Sequence, residues 1–315
     1  MKNAIGSAIF YARFALPFSR IGFQRRVGAS ALKPFGFKGQ RWIVTGASGG
    51  IGRAIALGAA AGGAHVLALA RSPAKLEALR ASAAGLSGVV EPWPVDLSLM
   101  HAVRDAGAAI AAQGRVDVLV NNVGLMCHSF EQTAEGVETG FATNLLGHWV
   151  LVQALEAGGA LVAASTVVSM SSGGMYGAKL DLTALEAPSA TTHDGFIAYA
   201  QHKRAQVTLT DWWNQRQGNL PRCHAMHPGW VATPGVDTTL PIFRKVFGPV
   251  LRTPEQGADT ALWLAATRPS PTDEGGIWLD RHHDPEHAFS LTKGGAGADA
   301  LAAALDRRAT AVLQR

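Results

Sequence analysis

Thr45-Gly46-Ala47-Ser48-Gly49-Gly50-Ile51-Gly52 follows the apolar run Trp42-Ile43-Val44 and leads into the helical pattern of Ile51–Ala61. A strand that turns through glycines into a helix is a phosphate cradle. The glycines let the backbone bend sharply and approach a pyrophosphate, and the positive end of the next helix receives its charge. The arrangement predicts a doubly wound parallel sheet with helices on both faces.

From Arg41 onward, strand-like and helix-like segments alternate as that fold requires. After the strand at Trp42–Val44, strands are expected at His65–Ala70, Val89–Val95, Val116–Val120, Thr166–Ser171, Arg222–His227 and Gly276–Leu279. Helices are expected at Pro73–Ala81, from a Ser98 cap to about Gln113, and at Val137–Ala157, Phe196–Gln217, Pro254–Thr267 and Ala298–Val312. Gly173–Asp194 reads as an irregular insertion. Residues 229–252 read as a lid, where Pro234, Pro241 and Pro249 discourage a continuous helix. With no internal repeat and no linker, residues 41–315 are expected to form one α/β domain of the Rossmann type, preceded by an extension at 1–40.

The composition suits a buried sheet: 48% of the 315 residues are hydrophobic and 7% aromatic. Cys127 and Cys223 are the only cysteines, so no disulfide framework is implied and a reducing, cytoplasmic setting is expected. Residues 1–41 carry eight of the 28 basic side chains and no acidic one, leaving 20 basic against 23 acidic in the remainder. The net positive charge therefore belongs to the extension, and the body is not a nucleic-acid surface. The uncharged run Asn3–Ala12 is too short to span a bilayer, and no small-x-small cleavage site supports a secretory signal. Two readings stay open for the extension: a helix packed on the protein's own surface, or an amphipathic segment in peripheral contact with a membrane.

The strand His65–Ala70 bears on which dinucleotide is held. An acidic residue at its end would grip the ribose 2′-hydroxyl of NAD, but Arg71 stands there, and Arg53 follows the last motif glycine. Two guanidiniums suit a 2′-phosphate, so NADP is preferred over NAD. Downstream, Tyr199 and Lys203 lie four residues apart, one turn apart on one helix face. A phenol beside an ammonium is a tunable proton donor, with its pKa expected to fall.

These motifs, in order, resemble a known family. The glycine motif, Asp96-Leu97, Asn121-Asn122-Val123-Gly124, Asn144, Ser172, Tyr199, Lys203 and Pro228-Gly229 are similar to the short-chain dehydrogenase/reductases across about residues 41–280. Asn144-Leu145-Leu146-Gly147-His148-Trp149, Ser171-Ser172-Gly173-Gly174-Met175 and His227-Pro228-Gly229-Trp230 resemble the retinol-dehydrogenase-like group. Val123 replaces a usual alanine. Ser172 and Tyr199 are 27 residues apart, more than double the common spacing, as in that group.

The resemblance implies an oxidoreductase interconverting a carbonyl and an alcohol. Tyr199 would donate the proton, Lys203 would lower its pKa and bind the nicotinamide ribose, Ser172 would hold the substrate oxygen, and Asn144 would order a water linking Lys203 to solvent. Ser171 competes with Ser172 for that role. Gly46, Ser48, Gly49, Gly50, Ile51, Gly52, Arg53, Arg71, Asp96, Leu97, Asn121, Asn122, Gly124, Pro228, Gly229, Val231 and Thr233 would contact the cofactor, with Tyr199 and Lys203. It also implies homodimers or homotetramers paired through the two long helices.

Leu125, Met126, Met175, Tyr176, Trp230, Leu240, Ile242, Phe243 and Phe247 are expected to wall a pocket for an apolar substrate, retinoid-, steroid- or lipid-like. No metal is expected: His282, His283 and His287 read as a polar loop, and His148 as a buried structural histidine. A rival reading is a non-catalytic, membrane-associated dinucleotide-binding protein. The cationic extension is the feature that favours it.

Overall fold

A computed structural model of the chain describes residues 2–28, 35–216, 218, 220–270 and 276–315. Part of the extension and Gln217 lie outside the described residues. The elements run α1 (Lys2–Phe18), α2 (Arg20–Arg26), β1 (Arg41–Thr45), α3 (Gly50–Ala61), β2 (His65–Ala70), α4 (Pro73–Ser82), β3 (Val89–Pro94), α5 (Met100–Ala111) and β4 (Val118–Asn121). They continue with α6 (Thr139–Phe141), α7 (Gly147–Ala157), β5 (Thr166–Met170), α8 (Gly195–Gln215), β6 (Arg222–Met226), α9 (Pro234–Thr239), α10 (Pro241–Phe247), α11 (Pro254–Thr267), β7 (Ile277–Leu279), β8 (His282–Asp284) and α12 (Ala298–Leu313).

The sheet order is β3-β2-β1-β4-β5-β6-β7-β8, parallel except for the last strand. Alternate residues of each strand feed opposite faces. Ile43, Leu67 and Leu69 join the core under α5, α7, α8 and α12, whereas Trp42, Val44, Val66 and Ala68 join the core under α3, α4 and α11. Strand order reverses between β1 and β4, so the crevice for a ligand opens at the carboxyl ends of these strands.

Several expectations need correction. The helix expected from Val137 starts at Thr139 and is interrupted by a π-helical turn, Ala142–Leu146, before α7. Ser98 does not cap α5. Its hydroxyl and N–H both donate to Asp96, and the first N–H groups of α5, Met100 and His101, donate to the Glu135 carboxylate instead. That cap comes from a distant loop, which local pattern cannot show. Between 229 and 252 no continuous helix forms, as expected: Pro234 and Pro241 each start a short one, α9 and α10, because proline's missing N–H costs nothing in a first turn.

His282 and His283 belong to β8, an antiparallel strand. It was missed because its two-residue turn, Asp280-Arg281, lacks the usual glycine. Both residues have positive φ, 55° and 64°. Ion pairs hold them there: Arg252 to Asp280, and Arg281 to Asp259.

The extension packs on the protein itself. Phe14 and Phe18 share a buried cluster with Met175, Tyr176, Val207, Ala225, Ile277 and Leu279. At the other end of the chain, α12 lies across α7 and α8. Leu301, Leu305 and Val312 enter the core, and the Asp306 carboxylate accepts from Trp149 Nε1 and Gln153 Nε2.

Candidate active site

The glycine loop leaves β1 and crosses to α3. Gly52 is required by a close approach: a Cβ there would meet the Gly46 carbonyl oxygen at 2.3 Å and Asn122 Nδ2 at 2.5 Å. Thr45, to which sequence reasoning gave no role, joins this loop to the next. Its hydroxyl accepts from the N–H groups of Asn122 and Val123 at 2.9 and 3.0 Å, while Asn122 Nδ2 donates to the Thr45 carbonyl at 2.8 Å. Gly49 precedes α3 with no side-chain cap, so the first N–H groups of that helix face the loop without one. Asn121 Oδ1 is buried there and has no hydrogen-bond partner. Such an anion-ready helix end beside an unpaired polar atom fits a dinucleotide held across Gly46–Gly52 and Asn121–Gly124.

Arg71 directly follows β2 and is exposed, next to the loop whose Ala47 N–H donates to Leu69. Arg53, on the first turn of α3, reaches towards α4 and donates to Ser82. Leu97 turns its side chain into the core, so only its backbone can face an adenine. Thr233 caps α9 and lies against the loop at Gly50, while Val231 is buried beneath it. Gly229 has φ of +77°, and a Cβ there would strike the Arg252 guanidinium at 2.3 Å.

Tyr199, Lys203, Ser172 and Asn144 converge beside that crevice. Lys203, 2% exposed, places its Nζ 5.5 Å from the centre of the Tyr199 ring and donates to the Met170 carbonyl at 2.7 Å and Gln206 Oε1 at 3.2 Å. Ser171 donates to the Lys203 carbonyl at 2.8 Å, whereas the Ser172 hydroxyl lies near enough to the Tyr199 phenol to pull its pKa down, which favours Ser172 over Ser171 as its partner. Asn144 sits on the π-helical turn. Its side chain is occupied by the Leu125 backbone, accepting from N–H and donating to C=O, both at 2.8 Å.

Burial shifts the charges differently from the expectation. The Tyr199 phenol is pushed above its ordinary value by burial, with the Ser172 hydrogen bond pulling the other way. Burial lowers Lys203 to about 7, so near neutrality its ammonium is only partly populated. The protein alone thus raises the phenol rather than acidifying it, because the same dry site penalises both charged forms. His148 is lowered to about 3 and His202 to about 4, again by burial, and both stay neutral at working pH.

A cavity of about 810 Å³ lies between the 173–194 insertion and α8 and is lined by Phe196, Ile197, Ala200 and Gln201. It excludes Tyr199, which faces a tighter space with Leu125, Cys127, Asn144 and His202. The candidate residues Tyr199 and Asn144 thus gather away from the larger space. Met175 and Tyr176, expected as pocket walls, are core residues under α1, and Ile242 faces solvent. Trp230, Phe243 and Phe247 do gather, and the ring they gather on is Tyr11 of the extension, 5.5 Å from Phe247 and 5.9 Å from Trp230. No local signal could have brought Tyr11 or Arg252 to this place, whereas Gln206, three residues after Lys203 on α8, was within reach of the helix spacing. His282, His283 and His287 do not converge: His282 meets the Asp280 carbonyl, His283 packs on Trp278, and His287 meets Thr292 and Glu286.

Comparison with known proteins places this geometry. Residues 40–178 match the family described as short chain dehydrogenase. Over 293 residues the chain is 35% identical to bovine (Bos taurus) dehydrogenase/reductase SDR family member 12, covering 89% of this chain and 90% of that protein. A crystal structure of an uncharacterized protein from Mycobacterium paratuberculosis superposes with a TM-score of 0.68 at 26% identity, covering 90% of this chain and 96% of that one. A short chain dehydrogenase from Burkholderia cenocepacia in complex with NADP superposes with a TM-score of 0.59 at 25% identity, covering 77% and 96%. The chain belongs to the short-chain dehydrogenase/reductase family and is an NAD(P)-dependent oxidoreductase acting on CH–OH and C=O groups.

Proposed function

We propose that this short-chain dehydrogenase/reductase uses NADP(H) to interconvert an apolar carbonyl compound and its alcohol, with Tyr199 as the acid/base. The observation that carries the reading is the convergence of Tyr199, Lys203 and Asn144 at Gly124, beside the glycine cradle. When bound, the nicotinamide supplies or accepts the hydride.

The protein's part is to hold and move the proton. The Ser172 and Tyr199 hydroxyls lie near one another, so a carbonyl oxygen entering between them would meet two donors where negative charge develops. The raised phenol keeps its proton until that charge appears. Lys203, held at Met170 and Gln206, keeps a cationic group below the ring. Trp230, Phe243, Phe247 and Tyr11 give an apolar, water-excluding cover, which suits a retinoid-, steroid- or lipid-like substrate. A panel of apolar aldehydes and ketones, read by NADPH oxidation with NADH alongside, tests this. No turnover of any member with either cofactor would refute it.

The NADP preference rests on Arg71 and Arg53 and on the absence of an acid at the end of β2. Arg71→Ala is expected to raise the KM for NADPH at least about tenfold, the loss of a hydrogen bond to a charged phosphate, and to leave the KM for NADH unchanged. Equal effects on both cofactors would exclude a 2′-phosphate contact.

The rival reading, a membrane-associated binding protein, is less favoured because Phe14 and Phe18 of the extension pack into the protein, while Tyr11 and Leu16 stay exposed. Among the described residues no helix is long and apolar enough to cross a membrane. As to oligomers, α12 covers the helices α7 and α8 that would pair between subunits. The full chain is therefore expected not to dimerise through this face. Deleting residues 298–315, which bares Trp149 and Trp213, should produce self-association in size-exclusion chromatography.

A further inference from the structure

We infer that Gln206 is a positioning residue for the Lys203 ammonium, its amide joining Lys203 to the main-chain carbonyl of Asn144 without an intervening water. Gln206 lies three residues after Lys203 on α8 and therefore on the same face. Its Oε1 accepts from Lys203 Nζ at 3.2 Å, and its Nε2 donates to the Asn144 carbonyl at 2.8 Å. Gln206, Lys203 and Asn144 are all buried, at 3%, 2% and 1% exposure.

The roles follow from what each group can offer. A primary amide carries an acceptor at one end and donors at the other, which is what a bridge from an ammonium to a carbonyl needs. Leucine supplies neither end and glutamate supplies only the acceptor. The Asn144 side chain is engaged elsewhere: its Oδ1 accepts from the Leu125 N–H, and its Nδ2 donates to the Leu125 carbonyl and meets His202 Nδ1.

Lys203 depends on it. Its two hydrogen-bond acceptors are the Met170 carbonyl, at the end of β5, and Gln206. The titratable groups facing it are Tyr199 and His202 on its own helix and His148 on α7, and the histidines are neutral. No carboxylate contributes to its charge balance; burial alone sets it, near 7. Removing one of two acceptors therefore acts on an ammonium already close to losing its proton.

The inference rests on the site being an NADP(H) site, and NADPH affinity followed by fluorescence from about pH 5 to 9 tests the two separately. In the wild type, affinity is expected to weaken as pH rises through Lys203's ionisation, near 7. Gln206→Glu puts a negative charge beside Nζ and should move that midpoint up by about one unit or more. Gln206→Leu should move it down and weaken binding at neutral pH about tenfold. A purely structural glutamine would lower the melting temperature and leave the midpoint alone. Midpoints unchanged in both variants, or in the Glu variant if the Leu variant does not fold, overturn the role of Gln206. A wild type that binds no NADPH overturns the reading of the site itself.

Discussion

Tyr199→Phe is expected to lower kcat for carbonyl reduction by about 10²- to 10⁴-fold, the usual contribution of a positioned general acid, while NADPH still binds with nearly wild-type Kd. The phenylalanine ring keeps the packing and the place beside Lys203, so what is removed is the hydroxyl near Ser172. A loss seen in kcat and kcat/KM together marks an interaction made in the transition state. Full activity in this variant would end the assignment of Tyr199.

The wild-type pH profile carries a sign that follows from the same site. Tyr199 is raised, so in the reducing direction the donor is protonated throughout the neutral range. Lys203 is lowered to about 7, so its positive charge is present below that pH and is lost as pH rises through it. Reductive kcat/KM is expected to be level on the acid side and to fall above about 7. Alcohol oxidation needs the deprotonated phenol and should rise with pH instead.

Arg252→Leu is expected to destabilise the protein by about 3–5 kcal/mol, the cost of leaving a buried partner charge uncompensated. Arg252 and Asp280 are each 1% exposed and form a bidentate pair. The same guanidinium donates to the carbonyls of Pro17, Phe18, Ser19 and Pro228, tying the extension to the loop after β6. Its own N–H donates to Trp230, whose N–H in turn donates to Phe18. One side chain therefore fastens the amino-terminal helices, the base of the lid and the strained Asp280-Arg281 turn.

The double variant Arg252→Leu/Asp280→Leu separates charge from attachment. Removing both charges should recover much of the stability, because no ion is left buried alone. It should not recover the KM for an apolar substrate, because Tyr11 and the lid aromatics lose their fastening. If both stability and KM return to wild type, the attachment has no bearing on the site. The melting midpoint and steady-state KM are the two measurements.

Much of this molecule was legible in order and spacing. The glycine loop after β1, the alternation of strands and helices, and the placing of Tyr199 and Lys203 on one helix face are local properties, written in periods of two and 3.6 residues and in glycine placement. The motif order placed the reacting residues in one family and so in one crevice. Errors fell where a neighbour came from far away in the chain. The cap of α5 is Glu135, and the glycine-free hairpin before β8 is held by Arg252 and Asp259.

The residues alone therefore determined a doubly wound sheet, a dinucleotide cradle and a phenol–ammonium pair, because each depends on a few neighbours in the chain. Only the tertiary structure decided how those groups are charged and covered. Burial lowers Lys203 and raises Tyr199, Gln206 takes the Asn144 carbonyl, Arg252 anchors an extension more than 230 residues away, and α12 packs on α8 and bonds to Trp149 of α7. Dehydration and long-range contact set those features, and neither is carried by a short stretch of sequence.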